Sequence, residues 1–282
     1  MTHLRSALFF LLLVYGCSKG EQAGVPSFLS VENVDFKVST GQGTVHQLIT
    51  EVWTYADSQF IGAYSVPSEI PLLGDDQVRL DMYPGIRENG QAAAPTIYPL
   101  MVPWSTRIDV HPGGSIPITP TFAYSPNTRF ALVEDFESSN LFRDDLDGDS
   151  LTLFEVSVVN AIEGKSARAV LSASQPQLEV ASNFFLSNLP TDGSPVFLEL
   201  EYAAETALAV GLQSEGGNKL YKLLLFDNDL EPQKIYVNFT AEVEAAKGND
   251  VKILFLSTYD DSSGKAEQEV IIDNIKLLHF RP

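Results

Sequence analysis

A single cysteine, Cys17, occurs in 282 residues, so no internal disulfide can form. Positive charge is scarce too: Lys and Arg total 18 against 37 Asp and Glu, a net charge of −19. No basic stripe offsets that field, which repels nucleic acid. Histidine is rare, and His46, His111 and His279 all lack a second histidine at zinc-ligand spacing. No Gly-x-Ser-x-Gly elbow occurs. Gly164-Lys165-Ser166 copies the end of a phosphate loop, but Val159 stands where its first Gly belongs. Long helical periodicity is nearly absent. A carboxylate pair for glycoside cleavage is undecided by sequence, because acidic residues are too numerous to discriminate.

What is present begins at the N-terminus. After Arg5, residues 7–15 form an unbroken apolar run that ends at Gly16-Cys17 and turns polar at Ser18-Lys19-Gly20-Glu21. The layout is that of a secretory signal, and the run is shorter than the roughly 20 residues that span a bilayer. Leu13-Val14-Tyr15-Gly16-Cys17 resembles the bacterial lipobox. The resemblance implies cleavage before Cys17, a diacylglycerol on its thiol and a further acyl chain such as palmitate on the new amine. Several chains, at about 0.8 kcal/mol per buried methylene, give stable anchoring. Ser18 in place of Asp implies, by the same resemblance, the outer membrane. Lys19 with Glu21 is similar to the surface-export tether of Bacteroidetes-type lipoproteins. Residues 1–16 are thus expected as signal peptide and 17–30 as lipidated Cys and flexible tether.

Beyond residue 30, short apolar or alternating runs recur between Gly, Pro, Asn and Asp, the pattern of an all-β protein. In a first block, 31–128, residues 45–55 read as a strand, 56–59 as a turn and 60–66 as the returning strand of a hairpin. Pro67 and Pro71 forbid a central strand around Glu69-Ile70. Residues 77–83 alternate strictly, a half-buried strand, and Pro84-Gly85 is expected to turn the chain. The stretch Val52-Trp53-Thr54-Tyr55-Ala56-Asp57-Ser58-Gln59-Phe60-Ile61-Gly62, followed by 78–86, is similar to PEGA-type and transthyretin-like (Ig-like) sandwich modules. That resemblance implies a spacer or interaction module.

The second block, 129–282, opens with Glu134-Asp135-Phe136-Glu137 and closes with an apolar strand over 269–278. Between them 167–171, 196–202, 206–213, 219–225, 234–239 and 251–257 read as strands. These features, with Glu163-Gly164-Lys165-Ser166-Ala167-Arg168-Ala169, resemble the jelly rolls of carbohydrate-binding and surface-anchor domains. The resemblance implies that the first and last strands lie side by side. The expected fold is therefore two β-sandwiches, Ig/transthyretin-like then jelly roll, behind a lipoprotein signal.

Two places could hold structural calcium. Asp145, Asp147 and Asp149 sit on a Gly-bearing loop and match the first half of an EF-hand, but Ser150 stands where that loop needs Gly and Val156 where it needs Glu. A true EF-hand is excluded, which leaves a calcium loop or a solvated acidic turn. Glu134 or Glu137 with Asp273 forms the second candidate. Asp273 interrupts an apolar strand, where a carboxylate needs a partner or a metal. For sugar stacking the candidate rings of the second block are Tyr202, Tyr221, Tyr236 and Tyr259, each of which could equally be core.

The expectation is a non-enzymatic outer-membrane lipoprotein, lipid-anchored and exposed at the cell surface, that recognises glycan or protein. Two alternatives stay open: a structural subunit or adhesin without small ligand, and a polysaccharide-directed hydrolase. Expected partners are the membrane through the lipid and a polysaccharide or surface protein, with no nucleic acid. Structural Ca2+ is the sole cofactor expected.

Overall fold

A computed structural model describes residues 24–74, 76–93 and 95–280. Cys17 and the leader lie outside the described residues. The elements are almost all strands, as the alternation requires. The first module holds β1 (Ser27–Val31), β2 (Asp35–Lys37), β3 (Glu51–Ala56), β4 (Gln59–Ser65), β5 (Ser68–Leu72), β6 (Gln77–Arg87), β7 (Pro95–Ile97), β8 (Met101–Val102), β9 (Trp104–Asp109), β10 (Ser115–Pro117) and β11 (Thr121–Tyr124). β4-β3-β6-β7 form one sheet, with β9 also paired to β6. Two three-stranded sheets, β10-β1-β5 and β2-β11-β8, complete the module. Leu29, Ile70 and Phe122 from the small sheets share one apolar core with Val52, Leu80 and Met82 from the large one.

Three details depart from the sequence reading. β1 starts at Ser27, inside the expected tether, because Leu29 and Val31 are fully buried in the core. Pro84-Gly85 does not turn the chain; both continue β6 opposite Val52 and Glu51. The strand expected over 45–55 begins only at Glu51. The two prolines flanking Glu69 behave as their chemistry demands, since β5 is an edge strand.

The second module contains β12 (Thr128–Glu134), β13 (Asp144–Asp145), β14 (Glu155–Ser157), β15 (Ser166–Ser172), β16 (Gln177–Ala181), β17 (Val196–Ala204), β18 (Leu208–Ser214), β19 (Lys219–Leu225), β20 (Gln233–Asn238), a short helix α1 (Thr240–Ala245), β21 (Val251–Thr258) and β22 (Glu267–Phe280). One sheet runs β14-β15-β22-β17-β20 with β12 also on β22, and the other runs β13-β16-β21-β18-β19. β22 is the spine: β15 and β12 share one of its edges in succession and β17 takes the other. First and last strands of the module are thus paired antiparallel. Between the sheets lies the second core, where Phe255 meets Phe142 at 5.3 Å and Phe154 at 6.0 Å between ring centroids.

Candidate functional site

The acidic loop after β13 uses its carboxylates on its own backbone. Asp145 accepts from the amides of Asp147, Gly148 and Ser150. Asp147 accepts from Asp149 and from the Glu179 amide at 3.1 Å, and Asp149 accepts from Leu151. Burial would raise the Asp145 carboxyl, but hydrogen bonds from Asp147 and the loop amides outweigh it and hold its pKa low. Asp147, desolvated and beside two other acids, is raised.

The second calcium candidate is likewise used as a loop organiser. Glu134 accepts from the amides of Phe136 and Leu141 and from the Ser139 hydroxyl. Glu137 accepts from the Lys165 amide at 2.7 Å. Asp273 accepts from Ser166 Oγ at 2.7 Å and from the Glu163 and Asn274 amides, and burial pushes its carboxyl up to about 6. Among the described residues, no group of three or more His, Cys, Asp or Glu is placed to hold a metal ion. Each of these three carboxylates is taken up by backbone or hydroxyl donors of its own.

Two of the four candidate tyrosines are corrected by burial. Tyr202 points into the second core with 6% of its surface exposed. Tyr236 is 1% exposed, wedged against the first module, where its hydroxyl accepts from the Leu48 amide at 3.0 Å. Neither ring has a face free to stack on a sugar. Tyr259 is half-buried against the core and donates to the Lys265 carbonyl.

Tyr236 belongs to a closed junction that covers the outer face of the six-stranded sheet. Phe197, Tyr236 and Leu278 project from that face into the core of the first module. Beside them, the Tyr98 and Tyr124 hydroxyls both donate to Glu199 at 2.9 Å. Lys276 donates to the Thr44 carbonyl at 2.8 Å and to Tyr124 Oη at 3.2 Å. Lys234 stands 3.3 Å from Glu199, and His46 stands 3.2 Å from Glu201. Burial lowers the Lys276 ammonium to about 8 despite the pull of Glu199. Burial, with Glu199 alongside, raises both tyrosine hydroxyls. This face is committed to holding the modules together. A cleft of about 540 Å³ lined by Thr44, Glu137, Glu163 and Asn274 flanks the junction.

The opposite, five-stranded sheet keeps its outer face open, and there the remaining tyrosine is found. Tyr221 lies on edge strand β19, and its hydroxyl donates to Glu179 on β16, at the far side of β18 and β21. The ring must therefore run along the sheet across those two strands. Gly211, its neighbour on β18, leaves no side chain beneath it. Leu254, paired with Gly211, is fully buried on the outer side, as a ring passing over it requires. Glu179 faces outward because Leu178 and Val180 on either side are core. Lys219 holds the other Glu179 oxygen at 2.7 Å, opposite Gln213. Desolvation, then the Glu179 contact, raises the Tyr221 hydroxyl and keeps it a donor. Further along the face Lys252 pairs with Asp144 at 2.5 Å and sits over the Phe185 ring. The result is an aromatic plane fixed among planar polar groups. Tyr221 is legible in sequence as an aromatic in an alternating strand; Glu179 is missed, because β16 is short and follows Pro176.

No family model matches the chain, and no curated protein matches it. Among solved structures, TmCBM61 in complex with β-1,4-galactotriose is 16% identical, covering 55% of this chain and 99% of that one, with a TM-score of 0.37. A point mutant of CBM29-2, a family 29 carbohydrate-binding module, complexed with cellulohexaose, is 13% identical over 55% of this chain and 92% of that one, with a TM-score of 0.34.

Proposed function

We propose that the protein is a non-enzymatic lipoprotein, exported and held by acyl chains on Cys17 in the outer membrane, that recognises glycan with the open face of its second sandwich. The observation that carries the recognition reading is the Tyr221 ring, fixed along the sheet by Glu179 and flanked by Lys219 and Gln213. A pyranose stacks its C–H face on such a ring while its hydroxyls meet the carboxylate, ammonium and amide around it. Prior fixing of these groups lowers the ordering cost of binding. The anchoring reading is supported by the apolar leader that stops at the chain's one thiol.

Binding of the full-length protein to a glycan array, followed by titration calorimetry on the best neutral oligosaccharide, tests recognition. Tyr221→Ala is expected to weaken that binding tenfold or more, about 1.4 kcal/mol. Tyr221→Phe keeps the ring and is expected to retain most of it. An array with no signal on any glycan sinks the reading in favour of a purely structural subunit. Mass spectrometry of the native protein tests the anchor, with a lipidated Cys17 expected as the first residue.

A further inference from the structure

We propose that the first module carries a second binding surface, on the outer face of β4-β3-β6-β9, and that its ligand is an acidic polysaccharide. Four rings meet there. Phe60 lies 5.6 Å from Trp53 and 5.2 Å from Tyr55 between centroids, and Tyr55 lies 5.4 Å from Tyr83. The alternation of β3 and β6 puts them outside, since Val52, Thr54, Leu80 and Met82 between them are buried. Phe60 is 53% exposed and the others are half-buried.

Charges balance on this face, unlike the chain as a whole: Glu51, Asp81 and Asp109 share it with three arginines. Residues 27–124 contain four cations, Lys37, Arg79, Arg87 and Arg107, and all three arginines project from the face that bears the rings. Arg79 and Arg107 are direct cross-strand partners. Two like charges so placed repel each other and destabilise the pair. Arg79 is relieved by Asp81, at 3.0 Å, which also accepts from Ser105. Arg87 is relieved by Glu51. Arg107 is exposed and makes no ion pair among the described residues. A free guanidinium beside an aromatic row presents a planar fork that matches a carboxylate or sulfate group. The rings offer apolar planes for the sugar rings between such groups.

A protein partner fits this surface less well. The centre of a protein interface is rich in aromatics and Arg but depleted of Asp and Glu, whereas here Glu51, Asp81 and Asp109 stand among the rings and arginines on adjacent strands. The net charge of −19 repels polyanions in general, so capture of one has to be local to these arginines and sensitive to salt. This surface is separate from the Tyr221 face, and either can fail without the other.

The test is titration calorimetry of the full-length protein with alginate, with the same polymer after reduction of its carboxylates, and with chondroitin sulfate. The first and third arms distinguish uronate from sulfate as the recognised group. Binding to at least one acidic polymer is expected, with the reduced polymer at least tenfold weaker. Phe60→Ala and Arg107→Gln, both at exposed positions, are each expected to weaken it tenfold or more without lowering the melting temperature, while Tyr221→Ala leaves it as it was. Failure to bind either acidic polymer overturns the proposal. So does binding that ignores both substitutions or disappears with Tyr221→Ala.

Discussion

Asp273 shows how one carboxylate can be traced from sequence to energetics. A charge inside the apolar run 270–278 signals a special position, and the side chain is buried and satisfied by Ser166, Glu163 and Asn274. Its carboxyl is raised from 3.8 to about 6, so the folded state holds the proton more tightly than the unfolded one. Its contribution is full below about pH 4 and is lost as pH rises through 6. Melting of wild type and Asp273→Asn across pH 4 to 7 is expected to show wild type losing ground as pH rises; a constant difference refutes this. The same sequence signal marks Glu199 and Glu201, charged residues inside the apolar run 196–204, yet it does not say what they meet. Their partners Tyr98, Tyr124 and His46 come from 75 to 155 positions away. Sequence spacing carries no trace of such pairings.

At the scale of the element, alternation does most of the specifying. Bounds for β19 follow directly from it, and β6 is found but stopped too early at Pro84-Gly85. Gly85 is there for a steric reason. A Cβ at this position would lie 2.9 Å from Glu51 Cβ and 3.1 Å from Trp53 Cδ1, so only glycine lets β3 approach with the indole above. Gly85→Ala is expected to cost about 1–3 kcal/mol, the usual range for overpacking. Urea denaturation measures it, and an unchanged midpoint would show that β3 can shift without penalty. β16, β13 and helix α1 escape a sequence reading because they are short. Their place is set by β21, β16 and the end of β20, rather than by a periodicity of their own. The open face of Tyr221 is therefore half legible: its ring, but not the Glu179 that holds it down.

For the whole molecule, the junction makes the two sandwiches one body. Glu199 receives two tyrosine hydroxyls with Lys234 and Lys276 close by, all out of water. Removing one member of a buried ionic set while leaving its partners behind costs about 3–5 kcal/mol. Glu199→Ala is therefore expected to lower stability by about that much and to split a single calorimetric unfolding peak into two. A single peak at the wild-type temperature would show the modules to be joined by other means. The β22 spine has a consequence for the order in which the second sandwich closes. Every other strand of the second sandwich precedes it in the chain, and β12, β15 and β17 all wait for it to supply their inner edge. Until it forms, β12, β15 and β17 keep unpaired inner edges, so the six-stranded sheet cannot close before synthesis of the chain has passed Glu267–Phe280.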